Sequence, residues 1–314
     1  MLANNNKMII NKLAKNSVKS NKKQYGILFF TIVLSAFMLF CVFTIGWTYL
    51  DSSRLQNTRL NGAEYDITTM NGFTSKQVKS LQSNKNIQNV GMESYAGFIK
   101  SSEFDNTVEI GLLWCDETFW NNLMSPARTK LDGHYPQNKN ELMVTKDILK
   151  ACGNENLSVG DSIVLTYENN TGVHTDKFVI SGIWDGYGDK SAGFVSKNFY
   201  DETGYDLKND GILCIKLNRN YVLPTTIQSL EKSLNFSDRQ IFAPTDYIEN
   251  SFKLLLGICG LALVICLSAY LLIYNILYLS ISGKIRYYGL LQSLGMTKKQ
   301  LVRFITKQML FIAI

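Results

Sequence analysis

Two long uncharged stretches limit what this chain can fold into more than any other feature. Residues 24–50 and 254–283 comprise 27 and 30 residues, respectively, without one Asp, Glu, Lys or Arg. At about 1.5 Å per residue, a helix of either length exceeds the ~30 Å hydrocarbon core of a bilayer. A lysine or arginine at the centre of a membrane helix costs roughly 2.5–3.5 kcal/mol, so uncharged windows mark where the membrane lies. The sequence therefore predicts transmembrane helices at 25–50 and 252–283.

The charges around these stretches predict an orientation. Residues 1–24 carry six basic residues and residues 282–314 carry another six, and neither segment has an acidic residue. The rest of the chain holds 20 basic and 26 acidic residues. Short basic flanks stay in the cytoplasm, so we expect a multi-pass plasma-membrane protein with cytoplasmic termini and residues 51–251 outside. Basic blocks beside membrane helices, rather than a groove-lining stripe, also argue against a nucleic-acid partner.

The two ends of the chain raise separate questions. A cleavable signal peptide is the rival interpretation of the first stretch, but its apolar part is about twice the usual length and no small-x-small cleavage site follows. A third apolar stretch begins at Leu301 and reaches the last residue without completing a span. We therefore expect 301–314 to be the start of a third transmembrane helix, and the natural protein to continue beyond it.

The segment between the two spans, about 200 residues long, is large enough for a domain with its own core. Its apolar patterns, set between Gly, Asn and Asp turns, predict an α+β domain. Helices are expected after a capping box at Thr74 and at 146–151, 197–203 and 225–234. Strands are expected at 65–70, 108–113, 141–145, 162–167, 177–183 and 211–217. Residues 169–172 predict a hairpin, and we expect two lobes divided near Leu131.

Residues that could carry chemistry are sparse. The cysteines outside the spans, Cys115, Cys152 and Cys214, are odd in number and widely spaced, which indicates no disulfide framework and at most one bridge. No G-x-x-x-x-G-K-[ST] sequence is present to hold nucleotide phosphates, and the glycines of 186–193 fit a turn better than a dinucleotide loop. His134 and His174 lack the spacing of a metal pair. We expect no catalytic, cofactor-binding or metal-binding residue in this chain.

The middle of the predicted outer segment resembles a known domain. A Gly-x-x-Pro turn at 133–136 precedes Glu-Leu-Met-Val at 141–144, then Val-Gly-Asp-Ser-Ile at 159–163 and Phe-Val-Ile-Ser-Gly-Ile at 178–183. This order is similar to the outer core domain of MacB/FtsX-type permeases, although His134 stands where that family often has a basic residue. We expect these residues to be structural, with Gly160 in a tight turn into one strand and Gly182 ending the next.

Residues 280–310 predict a helix, a turn and a second helix. Ile281, Ile285 and Tyr288 recur at helical spacing. Gly295 can take the left-handed position that ends a helix, and Thr297-Lys-Lys-Gln300 forms a capping box that starts the next. The second span is thus expected to continue into the cytoplasm and turn at 295–296, after which the chain re-enters the membrane.

This segment resembles the most specific signature of the FtsX-like permease family. The sequence R-x-x-G-L-L-x-S-L-G-M-T-x-x-Q, at 286–300, is similar to the family pattern R-E-x-G-x-L-R-x-hydrophobic-G-hydrophobic-x-x-x-Q. Tyr287 replaces the common Glu, and Gln292 replaces a frequent Arg. The N-terminal residues 11–35 also resemble the entry helix and first span of that family, in which residues 1–24 would form a basic amphipathic entry segment.

The resemblance implies the permease subunit of an ABC transporter. In such proteins two permease units pair, either as two copies or as two halves of one chain, and each binds a cytoplasmic ATPase that holds the ATP and Mg²⁺. Residues 284–300 would be the coupling segment in contact with that ATPase. Its contact residues would be Arg286, Tyr287, Tyr288, Gly289, Leu290, Leu291, Leu294, Gly295 and Met296. The substrate stays open among peptides, lipids or lipoproteins, and mechanical control of a surface partner without transport is another family behaviour.

Two other classes of protein fit parts of the sequence. A two-span receptor, with an outer sensor signalling to a cytoplasmic kinase module, has the same topology and charges through residue 283. Its signalling helix should then continue with polar heptads, whereas this chain turns and becomes apolar again. A membrane-anchored scaffold would need no ordered cytoplasmic element. The sequence therefore favours the permease.

Overall fold

The chain divides into two compact units. The computed structural model describes residues 7–100, 110–187 and 192–313. One unit, here called the inserted domain, is Tyr49–Leu255, and the other, the helical unit, joins Met1–Thr48 with Leu256–Ile314. Two helices long and apolar enough to cross a membrane flank the inserted domain. This confirms the predicted fold class, a membrane-helical protein with an α+β domain between its first and second spans.

Five helices form the helical unit, and two of them continue into the inserted domain. They are α1 (Lys7–Ser20), α2 (Lys22–Asn61), α7 (Asp246–Ser282), α8 (Ile285–Ser293) and α9 (Lys298–Ala313). The candidate spans are Tyr25–Asn61 and Asp246–Leu279, and their apolar side chains are almost entirely exposed, as expected of helices that face lipid. Both helices extend into the inserted domain beyond the predicted limits of 50 and 252, because polar residues continue the helix past each apolar stretch.

The inserted domain combines short helices with a mixed sheet. Its helices are α3 (Ser75–Gln82), α4 (Lys146–Ala151), α5 (Lys197–Tyr200) and α6 (Pro224–Ser233), with a π-helical turn at Phe119–Leu123 and a 3₁₀ turn at Ser125–Ala127. Its strands are β1 (Ile67–Met70), β2 (Ile87–Ile99), β3 (Ile110–Cys115), β4 (Arg128–Gly133), β5 (Glu141–Thr145), β6 (Ser162–Asn169), β7 (Gly172–Gly186), β8 (Ala192–Val195), β9 (Ile212–Leu217) and β10 (Ile241–Pro244).

The sheet contains a closed ring of strands. Its order is β10-β1-β9-β2-β3-β8-β5-β7-β4, and β6 pairs with both β2 and β7. The pairings β2–β3, β3–β8, β8–β5, β5–β7, β7–β6 and β6–β2 therefore form a circuit of six strands. Two pairings, β3–β8 and β5–β7, are parallel. Closing the ring removes the exposed edges that these strands would otherwise present.

Two of the three hydrophobic cores described in the inserted domain lie on either side of β2. The side chains inside the ring, such as Leu112, Leu142 and Phe178, form one core. The sheet β10-β1-β9-β2 packs with α3 and α6 around the other. The predicted lobe boundary near Leu131 is wrong, because Leu131 lies within β4, opposite Trp184 of β7. The two cores meet at β2, which belongs to both.

Most predicted elements of the inserted domain are present. The predicted hairpin is confirmed, with Asn169 of β6 paired to Gly172 of β7. Gly160, at φ 95°, occupies the expected turn. The prediction that Gly182 ends its strand is wrong, because β7 continues to Gly186. Gly182 pairs with both β4 and β5. Residues 108–109 of one predicted strand and 188–191 of the predicted glycine turn lie outside the described residues.

Candidate functional site

The turn between α8 and α9 is built from hydrogen bonds that its sequence dictates. Gly295 N–H donates to Gln292 O and Met296 N–H donates to Leu291 O, both at 3.0 Å, which is the Schellman pattern. Gly295 has φ 97°, a conformation that glycine adopts without a Cβ penalty. The predicted helix end at Gly295 is confirmed.

The first turn of α9 is closed by the predicted capping box. Thr297 N–H donates to Gln300 Oε1 at 2.9 Å, and Gln300 N–H donates to Thr297 Oγ1 at 3.3 Å. These reciprocal bonds satisfy two N–H groups that a helix start leaves unpaired. Both sides of the turn are therefore fixed locally, which makes α8, the turn and α9 one structural element.

The sequence predicts that the second span continues into the cytoplasm up to the turn at 295–296, but the structure breaks the helix before α8. α7 ends at Ser282, and the chain bends at Gly283 and Lys284 before α8 begins at Ile285. Gly283 N–H donates to Leu279 O, and Lys284 N–H donates to Ile281 O, so the last turn of α7 tightens before the bend. The result is a short, separate helix in place of a straight extension of the span.

One face of α8 packs into the helical unit. Ile10 and Ala14 of α1, Tyr288 of α8 and Phe304 of α9 are all buried in one cluster. The partly buried members of this cluster are Leu13, Ile281, Leu291, Leu301 and Ile305. Burial raises the pKa of the Tyr288 hydroxyl to about 12. Tyr288 is one of the predicted partner contacts, but in this structure its side chain packs inward against α1 and α9 and holds α8 on them.

A second face of α8, about 100° round the helix from the buried one, is apolar and open. Tyr287, Leu290 and Leu294 are 40%, 63% and 82% exposed, and their spacing of three and four residues places them in one stripe along the helix. Ile285 is also exposed on a neighbouring face. Exposed apolar side chains grouped on one helix face indicate a surface that another protein or the lipid covers.

The other predicted site residues divide between these two faces. Arg286 and Gly289 are exposed, and Leu291 and Met296 are partly buried. The structure thus brings all nine predicted residues into one helix and its turn. It separates the inward pair Tyr288 and Leu291 from the outward stripe.

Sequence reasoning missed the contribution of the N-terminal helices to this site. Lys284 places its Nζ 5.1 Å from the centroid of the Tyr25 ring, at the start of α2, a cation–π contact. Burial lowers the pKa of the Lys284 ammonium. Ile10 and Ala14, four residues apart on the basic segment, were the signal that α1 has an apolar face to bury.

A second charged arrangement lies in the inserted domain. Lys216 of β9 is buried, with its Nζ 3.3 Å from Glu64 Oε1 and 3.3 Å from Asp66 Oδ2. Arg54, in the last three turns of α2, lies 3.6 Å from the same Glu64 oxygen. Burial raises the pKa of Asp66, and the Lys216 charge opposes that shift. These ionic contacts connect the end of α2 to the centre of the sheet.

Within 7–100, 110–187 and 192–313, no group of three or more His, Cys, Asp and Glu side chains could hold a metal ion. His134 places Nδ1 3.0 Å from Tyr135 O, and the His174 ring stacks on Tyr167.

Comparison with known proteins agrees with the C-terminal geometry. Residues 259–314 match the family described as FtsX-like permease C-terminal. The match includes most of α7, all of α8 and the turn, and it confirms the resemblance predicted from residues 286–300. No curated protein sequence matches this chain.

Among solved structures, two relatives resemble the inserted domain. The periplasmic region of MacB from Actinobacillus actinomycetemcomitans aligns at 13% identity and TM-score 0.40, over 62% of this chain and 95% of that one. The extracellular domain of the noncanonic ABC-type transporter YknZ from Gram-positive bacteria aligns at 10% identity and TM-score 0.38, over 58% of this chain and 99% of that one.

Proposed function

We propose that this chain, which carries an FtsX-like permease C-terminal region at 259–314, is the membrane-spanning subunit of an ABC transporter. In this proposal a separate ATPase binds the cytoplasmic end of the helical unit and holds ATP and Mg²⁺. The observation that carries the proposal is the exposed apolar stripe Tyr287, Leu290 and Leu294 on α8. The Schellman turn and the buried cluster hold α8 in place. A helix fixed in this way could transmit movement of the ATPase to the spans.

Charge complementarity adds a second requirement on the partner. Residues 1–48 and 256–314 contain twelve basic residues and no acidic one. Arg286 lies in α8 next to the apolar stripe and is exposed. A surface that docks here should therefore combine an apolar groove for the stripe with acidic residues at its rim, because complementary charges orient such encounters.

Continuous helices offer a route for movement. α2 and α7 each contribute residues to both units. At the end of α2, Arg54 contacts Glu64, which in turn contacts Lys216 of β9. A shift of α2 would be carried into the sheet through these contacts. We propose that ATP-driven motion of the partner reaches the inserted domain this way, either for transport of a peptide or lipid or for mechanical control of a surface partner.

The proposal includes a second permease unit and a defined orientation. ABC permeases act in pairs, so we expect a second copy or a second half of a longer chain. In this proposal the termini lie in the cytoplasm and the inserted domain lies outside, which the basic flanks of the spans favour.

Affinity purification of the full chain in detergent tests this function. A P-loop ATPase should co-purify with the parent and should be lost from the variant Leu290→Asp/Leu294→Asp, which charges the outward stripe without touching the buried cluster. The matched control is Leu131→Asp/Leu223→Asp, two exposed leucines of the inserted domain. It should retain the ATPase.

Two results would overturn the proposal. Retention of the ATPase by the stripe variant would remove α8 as the docking element. Co-purification of a histidine or serine kinase in place of an ATPase would favour the two-span receptor, in which the inserted domain is a sensor.

A further inference from the structure

A cavity of about 500 Å³ opens in the inserted domain where four separate segments meet. The segments are the end of β1, the first turns of α3, the loop before β9 and the loop between α6 and β10. The lining residues are Asn71, Thr74, Lys76, Gln77, Ser80, Lys208, Asn209, Ser233, Leu234, Asn235, Ser237, Arg239 and Gln240. The volume is in the range of small-molecule sites, and nearly all the lining residues carry a polar side chain, with Leu234 as the exception.

Three cations converge on this cavity without a carboxylate among its lining residues. Lys76, Lys208 and Arg239 come from three different segments and are exposed. In the part of the chain that the structure describes, none of the three forms an ion pair within 4 Å. Outside the lining, the charge of Lys208 also acts on the neighbouring carboxylate of Asp206. An anion bound in the cavity would be attracted by all three cations.

The floor of the cavity is rigid and its amides are already paired. Gln77 is buried, and its Nε2 donates to Leu234 O at 3.1 Å. Gln240 Nε2 donates to Gly72 O at 2.7 Å and lies 3.2 Å from Gln77 Oε1. Thr74 N–H also donates to Gln77 Oε1 at 2.9 Å. A fixed amide floor holds the three cationic segments at set positions, as a preformed site requires.

The backbone around the cavity adopts uncommon conformations. Asn71 and Asn235, at φ 64° and 45°, are the two non-glycine residues in the described chain with positive φ, and both line the cavity. Next to Asn71, Gly72 has φ 89°, and a Cβ there would lie 1.9 Å from Lys208 O. Glycine at this position lets the Lys208 loop approach the end of β1. Strained backbone of this kind persists where the surroundings hold it, often at binding sites.

We propose that this cavity is a binding site for an oxyanion, a carboxylate or phosphate group of a small polar ligand. The cations would supply charge-assisted hydrogen bonds to its oxygens, and Arg239 could form a bidentate pair. The hydroxyl and amide groups of the wall would contact the neutral part of the ligand. This site lies wholly in the inserted domain and does not depend on the ATPase partnership.

Hydrogen exchange of the full chain in detergent tests the site with two probes, inorganic phosphate and succinate. Each is titrated at constant ionic strength against sodium chloride. We expect saturable slowing of exchange, at least threefold, in segments 71–80, 205–211 and 233–241. If only phosphate slows exchange, the ligand carries a phosphate group. If only succinate slows exchange, the ligand carries a carboxylate. If both slow exchange, the site accepts either group. Each of these results supports the site.

Matched variants separate the site from general electrostatics. The variant Lys76→Gln/Lys208→Gln/Arg239→Gln should lose at least tenfold in apparent affinity. The control Lys130→Gln/Lys150→Gln/Lys177→Gln removes the same charge from exposed positions outside the cavity and should bind like the parent. The charge-conserving variant Lys76→Arg/Lys208→Arg/Arg239→Lys should keep measurable slowing, which guards against loss through misfolding. No slowing by either anion, or equal slowing in the triple Gln variant, would overturn the proposal.

Discussion

The ring of Phe304 on α9 meets the ring of Tyr288 on α8 edge-on, with centroids 6.5 Å apart and planes at 75°. This arrangement is the favourable T-shaped geometry of aromatic pairs. It joins the helix before the turn to the helix after it, and both rings pack on Ile10 and Ala14 of α1. The exposed stripe of α8 is therefore supported by residues distant in sequence.

Truncating Phe304 should loosen this support. Phe304→Ala removes a fully buried ring, and we expect a loss of about 3 kcal/mol in the free energy of unfolding of the helical unit. Tyr288→Phe is the matched control, because no hydrogen bond holds its hydroxyl in the described part of the chain, and its cost should stay below about 1 kcal/mol. Thermal melting in detergent, followed by hydrogen exchange of α1, distinguishes the two. Equal melting temperatures would show that the cluster does not stabilise the unit.

Substitutions at Gly295 should change stability only through the backbone conformation of the turn. Among the described residues, no atom lies within 4 Å of a Cβ added at Gly295, so the cost of Gly295→Ala comes from its φ of 97°. We expect about 1–2 kcal/mol. Gly295→Asn should cost less, because asparagine tolerates the left-handed region better. The readout is the exchange rate of the Met296 amide, whose bond to Leu291 O closes the turn. Slower exchange in the Ala variant would contradict this account.

The buried pair Lys216 and Asp66 predicts a dependence of stability on pH. Burial raises the pKa of Asp66 above its ordinary value near 4. A raised folded-state pKa means that the folded domain binds the proton more tightly than the unfolded chain. Its stabilising contribution is therefore full below about pH 4 and is lost as pH rises through the folded pKa.

Asp66→Asn isolates this titration from all others. The stability of the parent minus that of the variant should increase as pH falls from 7 towards 4, measured by melting temperature. The opposite trend would show that the ion pair with Lys216 outweighs burial and lowers the pKa. Lys216→Met at pH 7 should cost about 3–5 kcal/mol, since it removes the ion-pair partner of the buried Asp66 carboxyl group.

The elements that the sequence predicted well are those with local signals. The capping boxes at Thr74 and Thr297 and the helix end at Gly295 depend on residues within one turn, and the structure has each of them. The spans follow from composition alone. Such features need no information about distant parts of the chain.

The longest missed element, β2, shows where local reasoning fails. Its sequence contains Gly91 and Gly97 and a bulge between Tyr95 and Gly97, which interrupt the alternation expected of a strand. β2 is a strand because it pairs with β3, β6 and β9, and two of those partners, β6 and β9, come from distant parts of the sequence. The contact of Phe304 with α1 could not be predicted for the same reason, since neither segment contains a local pattern that indicates its packing partner.

The packing of the spans gives a further prediction. A Cβ added at Gly46 of α2 would lie 2.8 Å from Ile258 Cδ1 of α7, so glycine allows the helices to approach closely here. Gly46→Leu should separate them and lower the melting temperature of the helical unit in detergent. Gly26→Leu is the control, because a Cβ added there meets no atom within 4 Å in the part of the chain that the structure describes. Ile258→Ala should partly restore Gly46→Leu by making room, and failure to do so would place the effect elsewhere.

Orientation in the membrane is the prediction on which the proposed docking depends, since α8 can bind a cytoplasmic ATPase only from inside the cell. Leu131 of β4 and Leu294 after α8 are both exposed, so Leu131→Cys and Leu294→Cys form a matched pair for labelling with a membrane-impermeant thiol reagent. We expect labelling of Leu131→Cys above the parent in intact cells. Leu294→Cys should be labelled only after permeabilisation. The reverse pattern would place α8 outside, where no ATP-driven partner could reach it, and the permease mechanism would fail with the orientation.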